Sequence, residues 1–189
     1  MSATTSSSST TETVAGTRTV VIGVGSPLMG DDGVGVAAVE LLRRTVGSVD
    51  GVSLLDGGTW GMQLLPEIED AERLLLLDAI HEGVKPGTVV RLEKDELPRL
   101  LYQKVSPHQI DLREVFAVAE LRGTFPPMVV VLGVEPEAVE LHDGLSATVA
   151  RALPELIEAA VAQLRAWGHD VGEPCVLPSN GTLKESPRA

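Results

Sequence analysis

Three short aliphatic runs constrain the fold of this chain more than any other feature. Thr19–Val24, Leu74–Leu77 and Met128–Val134 are almost uniformly apolar and rich in branched side chains. A strand that is apolar on both faces must be covered on both, which points to a mainly parallel sheet between two layers of helix. The intervening sequence supplies those layers. Gly35–Val46 reads as a helix, with Val36, Val39 and Leu42 near 3.6-residue spacing. Residues 108–121 read as a second helix opened by Ser106-Pro107, and Leu145–Trp167 as a long amphipathic one. Pro154 predicts that this last helix starts near it or bends there. Val52–Leu55 is a short strand closed by Asp56-Gly-Gly58, Met62–Ile68 a short helix, and the alternating Gly87–Glu93 an edge strand. The expectation is an α/β fold, a three-layer α/β/α sandwich whose ligands bind beyond the carboxyl ends of the strands.

The chain has 189 residues, enough for one well-buried domain. Aromatics are only 3%, so the core must be built from Val, Leu, Ile and Ala. The net charge of −12 argues against nonspecific nucleic-acid or anionic-membrane binding, which needs Lys and Arg to meet phosphates. The single cysteine, Cys175, excludes a disulfide within the chain and fits a reducing compartment. The Ser/Thr-rich start lacks a basic segment and an apolar core, so it does not read as a secretory signal. No apolar stretch has the length of a membrane span. The expectation is a cytoplasmic protein with a disordered tail over 1–17, one folded domain over 18–168 and a loose tail over 169–189.

Chemistry concentrates in a few places. Gly23-Val-Gly-Ser-Pro-Leu-Met-Gly-Asp-Asp-Gly-Val-Gly35 joins the first strand to the first helix. Glycine-rich turns of this kind usually cradle phosphate on backbone N–H groups and the positive helix end. Gly25 and Gly30 even have the spacing of a nucleotide-binding loop. The Lys and Ser/Thr that should follow are Asp31 and Asp32, so the charge is inverted and the loop suits a cation. Helix capping explains an aspartate there almost as well. Asp78 ends the second buried strand, at the ligand-binding edge of such a sheet, although turn formation also favours Asp there. Asp56 lies in a glycine turn. His108, held by Ser106-Pro107 at a helix start, suits a transition metal alongside carboxylates. His81 and His142 read as solvated loop residues, and His169 as the start of the tail. No serine elbow is present and Cys175 falls in the tail, which leaves metal-assisted or carboxylate-driven hydrolysis.

Taken together and in order, these landmarks resemble the nickel-iron hydrogenase maturation proteases. The resemblance runs from about Arg18 to Trp167. It rests on the Gly23–Gly35 segment, Leu55-Asp-Gly-Gly-Thr, Leu77-Asp-Ala-Ile, Ser106-Pro-His-Gln and Leu132-Gly-Val-Glu-Pro-Glu137. It implies a twisted sheet of about five strands. It also implies an aspartic-type endopeptidase that recognises nickel already inserted in a hydrogenase large-subunit precursor and removes a C-terminal extension. The family's metal-contacting trio falls on Asp32, Asp78 and His108, with Asp32 and Asp78 as catalytic carboxylates and nickel supplied by the substrate. The precursor is the implied partner, with a maturation chaperone as a second. Two departures stand out: Gly25-Ser26 where the family often has Gly-Asn, and Asp32 where some members have Glu. A non-catalytic nickel-binding chaperone using the same trio is the alternative, and a nucleotide-dependent enzyme using the glycine loop a third reading.

Overall fold

In the computed structural model, residues 18–97 and 107–172 are described, with the backbone alone for 107–111. Of the segments expected to be loose, all of 1–17 and, from 169–189, residues 173–189 with Cys175 lie outside the described residues.

The apolar runs form the sheet. Its strands are β1 (Thr19–Val24), β2 (Val52–Gly58), β3 (Arg73–Ala79), β4 (Val89–Glu93) and β5 (Met128–Val134). Their spatial order is β2-β1-β3-β5-β4, with β1, β2, β3 and β5 parallel and β4 antiparallel at the edge. The helices are α1 (Val34–Val46), α2 (Leu65–Glu69), α3 (Pro107–Arg122) and α4 (Ala147–Ala166). Strand alternation splits the core into two layers. Leu74, Leu76 and Ile80 of the β3 segment pack with Ile68 of α2 and with Leu112, Val115 and Phe116 of α3. Leu75, Leu77 and Ala79 pack with Val39 and Leu42 of α1 and Leu156 and Leu164 of α4. The result is the expected α/β/α sandwich with five strands.

Three details depart from the sequence reading. The Asp56-Gly-Gly58 segment is not a turn: β2 continues through it, pairing Gly23 with Asp56 and Val24 with Gly58 across an irregularity between Gly23 and Val24. The last helix begins at Ala147 rather than near Pro154, because Ser146 caps it by accepting the Val149 N–H at 3.2 Å. Pro154 lies inside the helix. The chain after Gly168 is tied down as far as it is described. His169 Nε2 meets the Thr19 hydroxyl at 2.7 Å, its Nδ1 meets the Asp50 carbonyl at 3.2 Å, and Val171 is buried against α4's layer.

The join between β1 and α1 is unusually close. A Cβ on Gly35 would lie 2.1 Å from the Leu77 carbonyl oxygen and 2.4 Å from that of Val24. Both obstacles are backbone of the central strands, so neither can swing aside. Gly35→Ala is therefore expected to cost about 3 kcal/mol or more, above the middle of the overpacking range. Urea unfolding measures it; a loss under about 1 kcal/mol would show that α1 can lift off the sheet freely.

Candidate active site

The carboxyl ends of β1, β3 and β5 meet at one edge of the sheet, and the buried acids among the described residues all lie there. Asp31, Asp32, Asp78 and Glu135 are each 2% exposed or less. A buried carboxylate is costly without hydrogen bonds, so the partners of each define its job.

Gly25 makes the first loop possible. Its φ is +115°, and a Cβ there would lie 1.8 Å from the Asp32 carbonyl oxygen. The chain therefore folds back on itself into the 3-10 turn Gly30–Gly33, and Asp32 Oδ2 accepts the Ser26 N–H at 2.8 Å. The loop amide that a phosphate would need is already bound by the protein's own carboxylate, which counts against the nucleotide reading.

Asp31 has a different role from the helix capping that its position suggests. The caps of the turn and of α1 are Met29 and Gly33, without side-chain bonds. Asp31 instead reaches across to the connection between β5 and α4. Its Oδ2 accepts the N–H groups of Glu137 at 2.8 Å and Ala138 at 3.1 Å, and its Oδ1 that of Ser146 at 2.7 Å. Main-chain bonds extend the join: Gly30 N–H donates to the His142 carbonyl at 2.9 Å, and His142 N–H to that of Leu28 at 3.1 Å. His142 thus lies in a short parallel bridge with Met29 rather than a free turn.

Asp78 lies within β3, one residue before its end, with Oδ1 accepting the Ala79 N–H at 2.7 Å. By strand alternation it shares a face with Leu76 and Ile80, the face covered by α2 and α3. Helix α3 leads into β5, which runs parallel to β3, so α3 begins at the carboxyl edge of the sheet. The backbone therefore places His108, second residue of α3, at the same edge and over the same face as Asp78. The His108 side chain lies outside the described residues. Asp56 is exposed on β2 at this edge.

Glu135 was not singled out by sequence. Its Oε2 accepts the N–H groups of Glu82 at 2.7 Å and Val84 at 3.3 Å, and its Oε1 lies 3.0 Å from His81 Nδ1. It fastens the loop that follows Asp78, and it gives His81, which is exposed as expected, an acidic partner. The signal was available, since Glu135 is an acid ending a buried strand, as Asp78 is. The Asp31 clamp had no local signal, because its partners lie more than 100 residues away.

Asp32 and Asp78 are hard oxygen donors held in place by backbone N–H groups, and a carboxylate has acceptor capacity for several partners. They fit a cation that arrives with other ligands. Among the described residues no group of three or more His, Cys, Asp or Glu side chains forms a ready-made metal site.

Comparison with known proteins finds likeness to hydrogenase maturation proteases in sequence and fold. A family model described as hydrogenase maturation protease matches residues 36–163. The hydrogenase expression/formation protein HupD of Rhodobacter capsulatus is 40% identical over 156 residues, covering 82% of this chain and 74% of that protein. The hydrogenase 2 maturation protease of Escherichia coli is 39% identical over 152 residues, covering 80% and 93%. The structure of the hydrogenase maturating endopeptidase HybD from E. coli superposes with a TM-score of 0.78 at 38% identity, covering 84% of this chain and 98% of that one.

The two adjacent aspartates should separate by experiment. Asp31→Ala removes the acceptor of three part-buried N–H groups and is expected to lower stability by about 2 kcal/mol, since donors on the exposed Glu137 and Ala138 can turn to water. Amide hydrogen exchange over 137–146 should accelerate. Unchanged exchange there would mean that the clamp does not hold that segment.

Proposed function

The chain belongs to the hydrogenase maturation protease family, a family of peptidases, and on that premise we propose that it is the endopeptidase that removes the C-terminal extension of a nickel-loaded hydrogenase large-subunit precursor. The observation that carries this reading is the pairing of two buried, backbone-oriented carboxylates, Asp32 and Asp78, with the start of α3 at one sheet edge.

Asp32, Asp78 and His108 contact the nickel that the precursor brings. This holds the scissile bond at the sheet edge and makes cleavage conditional on a loaded substrate. A carboxylate of the pair takes a proton from the attacking water as oxygen adds to the peptide carbonyl, and the proton passes to the departing amine. No described helix is long and apolar enough to cross a membrane. The excess of acidic residues supports a protein partner over nucleic acid.

Cleavage of purified, nickel-loaded precursor tests the proposal. Asp78→Asn keeps an oxygen for the Ala79 N–H, and His108→Ala alters a helix start, so both variants should remain folded by circular dichroism. Each is expected to lose about 100-fold or more in rate, the lower range for removing a proton-transfer or positioning group. Near-wild-type cleavage by both would remove the proposed roles. Wild-type protein that binds the loaded precursor but leaves its length unchanged would identify a chaperone instead.

A further inference from the structure

Large apolar side chains are exposed at few places among the described residues, and they are not scattered. Leu28, Trp60, Met62, Val84 and Leu141 all stand on loops that follow the carboxyl ends of the strands, while only Leu121 and Met128 lie elsewhere. Leu28 and Leu141 are 64% and 84% exposed and sit beside each other, because the Met29–His142 bridge joins their two segments. The segments form a rigid lip. Asp31 pins it from beneath through Glu137, Ala138 and Ser146, and main-chain bonds close it at Gly30 and His142. A lip so firmly built does not need two uncovered leucines for its own stability.

The two flanks of the lip differ in chemistry. One is a largely apolar groove of about 260 Å³ lined by Pro27, Val36, Ala37 and Leu145, with Asp143 among its lining residues. The other is a cleft of about 350 Å³ whose polar lining includes Glu137, Glu140 and His142. Gly30 borders both. Glu137, Glu140 and Asp143 are exposed on this one connection, with no Lys or Arg among residues 135–146. An apolar groove next to an acidic cleft selects a segment that carries an aliphatic side chain beside a cationic one.

We propose that the lip formed by residues 28–30 and 138–144 is a docking platform for an apolar, positively charged segment of the precursor, separate from the Asp32–Asp78 centre. The platform sets affinity and the choice of substrate, while the centre reports the metal and cuts. This rests on the reading of the chain as the precursor's protease. It explains how a site built around a cation can bind a whole protein: the protein is held at the lip, and the metal only has to be presented.

The test compares Leu28→Ser/Leu141→Ser, Glu137→Gln/Glu140→Gln and, as a control elsewhere on the surface, Leu121→Ser. None of these residues belongs to the proposed cutting centre. Binding of purified precursor is measured by titration, with and without nickel, and cleavage of the loaded form as KM and kcat. The leucine pair should raise Kd and KM about tenfold or more, as expected for losing buried aliphatic area, with kcat within about twofold. The glutamate pair should weaken binding roughly threefold and flatten its salt dependence. The control should match wild type. Unchanged Kd and KM in the leucine pair would overturn the proposal, as would equal losses in the control. A wild-type dimer in sedimentation that the leucine pair abolishes would also overturn it, since a second copy would then cover the lip. If wild type does not cut the precursor, the cutting role fails alone, because the binding comparison still decides the lip.

Discussion

The structure of the carboxyl edge of the sheet depends on the buried Asp31 carboxylate and the three backbone N–H groups it holds. Hydrogen bonds to a charged acceptor are among the stronger ones in a folded chain, and breaking these would leave the buried Asp31 charge unsatisfied away from water. They join the loop after β1 to the connection after β5, across the intervening β3 in the strand order β2-β1-β3-β5-β4. The edge is thereby a single rigid frame rather than a row of independent loops. Asp32, the next residue, inherits its position from that frame. Gly25 and Gly35 complete the constraint by letting backbone approach backbone where any side chain would collide.

The other acids of the edge follow the same logic with different outcomes. Glu135 secures the loop after β3 through Glu82, Val84 and His81, so the segment beyond Asp78 is as firmly held as the first loop. Asp78 and Asp32 each have a backbone N–H that orients one oxygen. A sheet edge carrying several buried carboxylates has a negative potential that attracts a cation and disfavours phosphate, whatever the glycine spacing suggests. The glycines of the first loop therefore serve close packing and a buried aspartate.

Much of this was legible in sequence because the strongest signals were local. Uniformly apolar runs of Val, Leu and Ile predict strands covered on both faces, and these became β1, β3 and β5. Asp78 drew attention as an acid closing such a run, and the structure buries it within β3 rather than in a turn. The same rule would have found Glu135. It was less informative at Asp56, where glycines that look like a turn are instead accommodated in β2 by a local irregularity of pairing. The long helix over Leu145–Trp167 was legible too, and only a late start at Pro154 fails: the Ser146 cap and the packing of Leu156, Ile157 and Leu164 sustain the helix through a residue that locally opposes it.

The sequence alone determined the layer architecture and the set of chemically capable residues, because apolar periodicity and residue type are properties of short segments. The resemblance singled out Asp32 as the candidate ligand, but nothing local said what the adjacent Asp31 does. Only the tertiary structure decided that Asp31 is a clamp between two distant segments rather than a helix cap. The two aspartates differ in what each meets: Glu137, Ala138 and Ser146 for Asp31, and Ser26 for Asp32. Those partners are chosen by how the sheet orders its strands in space, and no local pattern records that order.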